Sequence, residues 1–116
     1  MHTDRTLDLE NLETVFEGDH ESIADLLELA CADGRERLVA METALSTGDA
    51  TTARGLAHAI KGASSNVGAF ELADVAAKVE TALRGGALAL ACEQQLELTD
   101  AFTRFEKAVV AYRMPS

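Results

Sequence analysis

The sequence predicts an all-α protein, an up-down-up-down antiparallel four-helix bundle with a short N-terminal helix capping one end. Three observations carry this. Alanine (21 residues) and leucine (15) far outnumber valine plus isoleucine (9), a balance that favours helices because β-branched side chains lose χ1 freedom there. Asp8, Asp19 and Asp49 each precede an apolar-periodic stretch as N-cap candidates, while Gly18, Gly48, Gly68 and the Gly85-Gly86 pair fall where helices would stop. The connections left between these signals are about two to four residues, short enough to force consecutive helices to pack antiparallel.

The first helix is expected from about Leu9 to Phe16, with Leu9, Leu12, Val15 and Phe16 on one side. A second runs from about His20 to Ser46. It carries Ile23, Leu27, Ala30, Leu38, Met41 and Leu45 at steps of three and four, with Gly34 on the seam at about 1 kcal/mol of lost propensity. The third spans about Ala50 to Val67. The fourth spans about Phe70 to Arg84, with Leu72, Val75, Ala76, Val79 and Leu83 inward, and the fifth about Leu88 to Tyr112, with Leu88, Cys92, Leu96, Thr99, Phe102 and Val109 as its stripe.

A chain of 116 residues with 47% hydrophobic residues, one proline and no tryptophan suits a single domain over residues 1–116. Roughly two thirds of its extended surface is buried at this size, so disulfides are not needed. Cys31 and Cys92 lack CxxC or Cys/His spacing and read as buried, reduced thiols, and no metal site is expected. The start, Met1-His2-Thr3-Asp4-Arg5, has no signal-peptide character, and no apolar run approaches membrane-spanning length; a cytoplasmic protein is expected. A net charge of −10 argues against nucleic acid, whose affinity comes from lysines and arginines that displace counterions. The alanine richness fits a GC-rich bacterial genome.

The charges are uneven. Of 20 acidic residues, 13 lie between Asp4 and Asp49, yet residues 50–70 contain none, while Arg54, His58 and Lys61 all fall inside. At about 100° per residue, with His58 as zero, Leu56, Ile60, Ala63 and Val67 lie between about 140° and 200° and face the core. Arg54, Gly62 and Ser65 lie within about 40° of His58 and Lys61 about 60° away, so the imidazole sits on a solvent-facing stripe with a cation one turn either side. His2 is terminal and His20 opens a helix; both read as ordinary surface residues. Gly62, a poor helix former in a helix interior, points outward and so leaves room above the ring rather than serving helix packing.

Imidazole at cytosolic pH is largely neutral and offers one nitrogen as a nucleophile for an acyl or phosphoryl group. Phosphoryl fits best. A carboxylate at about 6 Å would oppose its two negative charges by about 1 kcal/mol in water, and by about 5 kcal/mol at an effective dielectric of 20. A window cleared of acids avoids that repulsion. Lys61 can hydrogen-bond the phosphoryl oxygens or attract the donor, and Ser65 can add a hydroxyl. On this reading, a ring buried under apolar side chains, or an acidic group pressed against it, would overturn the relay account.

The run His58-Ala59-Ile60-Lys61-Gly62-Ala63-Ser64-Ser65-Asn66-Val67-Gly68-Ala69 resembles the HxxKGxSxxxGA signature of histidine-containing phosphotransfer (HPt) domains, and the five-helix layout extends the resemblance over almost the whole chain. It implies that His58 is the phospho-acceptor at Nε2 and that Lys61 steadies the phosphoryl group. Gly62 would then leave room for the partner, Ser64 would sit nearer the interior as a structural residue, and Gly68 with Ala69 would form the passage into the fourth helix. The expected function is a phosphorelay intermediate that takes a phosphoryl group from a receiver-domain aspartyl phosphate and passes it to another receiver. Partners would be response-regulator receiver domains and a hybrid sensor histidine kinase, with the protein itself a monomer. There is no P-loop, nucleotide lid or acidic Mg²⁺ cluster, so autonomous ATP-dependent kinase activity is not expected. No cofactor is expected on this chain, with Mg²⁺ on the receiver only. The alternatives are a kinase-phosphorylated histidine domain of a chemotaxis-type system and a binding module without chemistry.

Overall fold

The computed structural model describes residues 5–114, so His2 lies outside the described residues. Among them are five α-helices and no strand: α1 (Leu9–Val15), α2 (His20–Ser46), α3 (Ala50–Asn66), α4 (Phe70–Arg84) and α5 (Leu88–Arg113). The capping logic of the sequence holds. Asp8, Asp19 and Asp49 are the N-caps of α1, α2 and α3, accepting from the backbone N–H groups of Asn11, Ser22 and Thr52. Gly18, Gly48, Gly68 and Gly86 take positive φ after the helices end, a conformation that has little steric penalty only for glycine.

The helices contact in a closed cycle: α2 meets α3 and α5, α4 meets α3 and α5, and α1 rests on α2. Ile23, Leu27, Met41, Ala53, Ala57, Val79, Leu98 and Phe105 are among the most deeply buried side chains, so each long helix supplies part of one core. Gly34 is explained by this packing, since a Cβ there would collide with the edge of the Phe102 ring.

Three predicted faces are corrected. In α1, Val15 is 64% exposed while Leu12 is buried and Leu9 and Phe16 are partly so. Val15 stands about 100° to 120° from Leu9 and Phe16, too far round a two-turn helix to share their side. In α5 the stripe Leu88, Cys92, Leu96, Thr99 is wrong: Leu96 is 67% exposed and Cys92 is exposed, whereas Ala91, Gln95, Leu98, Phe102, Phe105 and Val109 face inward. That set keeps strict four–three spacing through a polar residue. Gln95 is tolerated inside because its amide donates to Glu42 (3.3 Å) and Thr99 (3.2 Å). The expectation of two buried thiols fails with it: both cysteines are free, but Cys31 is only half-buried, its pKa raised by that burial, and Cys92 is exposed.

The third correction bears on function. On α3, Ile60 and Val67 are buried as expected and Leu56 and Ala63 half-buried, but Ala53, Ala57 and Ser64 are buried as well. The inward face is thus turned by about 50° from the predicted one, toward the side that carries Lys61. α3 packs extensively against α4, and Ala53 and Ala57 keep the turned face of α3 small.

His20 is also more than an ordinary surface residue. Its Nδ1 lies 2.7 Å from the Tyr112 hydroxyl and the rings stack at 5.7 Å, tying the start of α2 to the end of α5. No helix is long and apolar enough to cross a membrane among the described residues.

Candidate functional site

His58 stands in the middle of α3 with 66% of its side chain exposed. Above it nothing lies within 4 Å of a Cβ built at Gly62 or at Gly55. Gly62 therefore serves open space rather than helix packing, as its outward direction on the helix wheel requires. Arg54, one turn before His58, is exposed and has no ion-pair partner among the described residues.

The acid-free window of α3 does not survive in space. Glu80, on α4, places Oε2 2.9 Å from His58 Nδ1 and Oε1 2.8 Å from Lys61 Nζ, and Arg84 approaches the same carboxylate at 3.2 Å. An acidic group does press against the ring, contrary to the expectation of a ring clear of acids. Two features decide what this means. The carboxylate is held by Lys61 and Arg84, so the cluster of Glu80 with these two cations carries a net positive charge. It also engages Nδ1 alone, and Nε2 makes no hydrogen bond among the described residues.

Glu80 is 5% exposed. The Lys61 hydrogen bond holds its carboxyl below the ordinary value; burial opposes this, and the His58 hydrogen bond adds to it. At neutral pH it is a carboxylate, which can only accept hydrogen bonds. Nδ1 of His58 must then donate, and a neutral ring with its proton on Nδ1 has its lone pair on Nε2. The tautomer follows from chemistry rather than from an observed hydrogen.

The other predicted residues divide. Lys61, 37% exposed along its side chain, is committed to Glu80 rather than reaching past His58. Ser65 is exposed, and its hydroxyl donates to the Lys61 carbonyl at 2.9 Å, so that donor is spent on its own helix instead of the space over the ring. Ser64 is buried at 5%, on the interior side as the resemblance implies. Its carbonyl accepts from Val67 and from Ala69 (2.9 Å), closing the end of α3. Gly68 has φ +77°, and its carbonyl accepts from Asp8 N at 3.0 Å. Ala69 is fully buried as the N-cap of α4. Gly68 and Ala69 thus form the turn between the two helices and anchor the N-terminal segment to it.

Sequence reasoning missed Glu80 and Arg84. The signal was present: Glu80 continues the inward series Ala73, Ala76, Leu83 at steps of three and four, and a carboxylate on such a stripe needs a partner. No group of three or more His, Cys, Asp and Glu side chains that could hold a metal occurs among the described residues.

Comparison with known proteins now bears on this arrangement. The family model for the Hpt domain matches residues 25–108, a span that contains the whole of α3 and α4. The chain belongs to the Hpt domain family. Among solved structures it is similar to histidine-containing phosphotransfer protein B (HptB) from Pseudomonas aeruginosa PAO1, at 33% identity and a TM-score of 0.81 over 93% of this chain and 97% of that one. No curated protein gives a significant match. This Hpt protein is a phosphorelay intermediate, of a family that works with receiver domains and histidine kinases.

Proposed function

We propose that His58 is the phospho-acceptor of this Hpt domain and that Nε2 forms the bond to phosphorus. The observation that carries the reading is the divided ring: on a largely exposed side chain Nδ1 is occupied by Glu80, while Nε2 has no hydrogen-bond partner among the described residues. The phosphoryl donor is a receiver-domain aspartyl phosphate, with a hybrid sensor kinase upstream, and a second receiver is the acceptor. Gly62 and Gly55 leave the partner's approach clear of side chains, Arg54 adds positive potential toward a phosphorylated partner, and Lys61 turns from Glu80 toward the phosphoryl oxygens when they arrive. Ser65 contributes at most its remaining lone pairs. Ser64, Gly68 and Ala69 act structurally by fixing the end of α3.

The chain works as one domain, an antiparallel four-helix bundle of α2 to α5 with α1 across one end. The short connections and the cycle of helix contacts support that topology. It acts in the cytoplasm as a monomer, without nucleic acid and without a cofactor of its own, the Mg²⁺ being the receiver's. Incubation with a phosphorylated receiver is expected to give acid-labile, base-stable label on this protein and none on His58→Gln. Label that persists in the variant overturns the assignment.

A further inference from the structure

We infer that Arg54 binds the oxygens of the phosphoryl group carried on His58 Nε2, and so favours the phosphorylated form of this protein over the aspartyl phosphate of its receivers. The inference rests on His58 being the acceptor. A helical side chain leans toward the helix N-terminus and covers the turn before its own Cα. For His58 that turn holds Arg54 at i−4 and Gly55 at i−3. Nothing stands within 4 Å of a Cβ built at Gly55, so the space over this turn is open to a phosphoryl group and to the guanidinium beside it.

The donors around the ring differ in what they already hold. Lys61 and Arg84 both contact the buried Glu80 carboxylate, at 2.8 Å and 3.2 Å, and the Ser65 hydroxyl donates to the Lys61 carbonyl at 2.9 Å. Each gives up a partner to reach a phosphate. Arg54 is exposed and has no hydrogen bond or ion pair among the described residues, so it gives up only water. No acid between residues 50 and 70 competes for it on its own helix. From α2, Asp33, Glu36 and Arg37 gather around Leu56, which stands about 160° round α3 from both His58 and Arg54. The planar fork of the guanidinium matches two phosphate oxygens at once, and its flexible stem can swing over Gly55.

In transfer from a receiver the Nε2 lone pair attacks phosphorus, the N–P bond forms, and the P–O bond to the aspartate breaks with its electron pair returning to that carboxylate. Arg54 stays protonated in both directions and exchanges no proton. The about two negative charges that it answers are on this protein only while His58 carries the group. Its effect therefore falls on the equilibrium between the two phosphoproteins. A cation that only steers or docks a receiver changes the rates in both directions and leaves that equilibrium where it was.

The test is the equilibrium constant for phosphoryl exchange between the whole chain and one phosphorylated receiver, approached from both sides at protein concentrations that leave the partners mostly dissociated. Wild type is compared with Arg54→Gln, Arg54→Lys and Arg37→Gln. Arg54→Gln is expected to move the constant about fivefold toward the receiver, and Arg54→Lys to move it less. Arg37→Gln, which removes the same charge beside Leu56, is expected to leave it unchanged. Rates that fall in both directions at an unchanged constant in Arg54→Gln overturn the proposal and make Arg54 a docking residue. An equal shift in Arg37→Gln overturns it too, because diffuse charge then suffices. Absence of label on wild type, or label that persists on His58→Gln, refutes the acceptor assignment and the proposal with it.

Discussion

Gly34 and Gly62 both interrupt long helices, and the same substitution is expected to act oppositely on them. Alanine gains about 1 kcal/mol of helix propensity over glycine at an interior position. At Gly62 nothing stands within 4 Å of the added Cβ, so the gain is kept. At Gly34 the Cβ would run into Cε1 of Phe102 and lie 3.0 Å from Cζ. Phe102 is 4% exposed and packs on Phe105 with ring centroids 6.0 Å apart. The void beside it measures about 20 Å³, too little to take the ring without moving its neighbours. Overpacking of this kind costs about 1–3 kcal/mol, so Gly34→Ala nets a loss of about 1 kcal/mol and the two variants differ by about 2 kcal/mol. At about 4 °C per kcal/mol for a domain of this size, their melting temperatures straddle that of wild type and stand about 8 °C apart. Urea unfolding followed by far-UV circular dichroism, with m-values compared, measures the gap. If Gly34→Ala is as stabilising as Gly62→Ala, the Phe102 seat against α2 is wrong and so is the packing argument for that glycine.

Gly68→Ala meets both a φ of +77° and the Cβ of Asp8 at 2.9 Å; a loss of about 2 kcal/mol or more is expected in chemical unfolding, and a neutral result would detach the N-terminal segment from the α3–α4 turn. The Asp49 carboxyl is held below its ordinary value chiefly by its hydrogen bond with Thr52. Its stabilising effect is therefore full above the unfolded pKa and fades as pH falls through the folded one; Asp49→Asn is expected to flatten the acid limb of melting temperature against pH, read by calorimetry between pH 2 and pH 6. Lys61→Met removes the main cause of the lowered Glu80 pKa and the cation nearest the acceptor, so transfer from a phosphorylated receiver is expected to slow by about tenfold while the fold persists by circular dichroism. An unchanged rate would make Lys61 an ordinary partner of Glu80. Gly62→Leu, which adds bulk in open space, is expected to slow transfer more than Gly62→Ala at undiminished stability, measured by the same label.

Much of this protein was legible because local chemistry acts through near neighbours. An aspartate before an apolar stretch caps the helix it precedes, a glycine at positive φ ends one, and the ends of α2 and α4 fell at the predicted residues. The direction of His58 and the emptiness over Gly62 follow from the turn per residue alone, whereas the interior seat of Ser64 was implied by the family resemblance and lay outside the inward face read from the helix wheel. The N-terminal half of α5 was not legible: a stripe through Leu88 and Leu96 and one through Ala91 and Leu98 are both periodic, and only the neighbouring helices choose between them.

Within α3 itself the sequence determines a basic, acid-free face around one imidazole, because periodicity fixes which side chains share a side. Only the tertiary structure decided that Glu80, 22 positions later, occupies that face. The packing of α4 on α3 brings a buried carboxylate to Nδ1, and a contact between two helices depends on how they are rotated about their axes, which no spacing within either helix records.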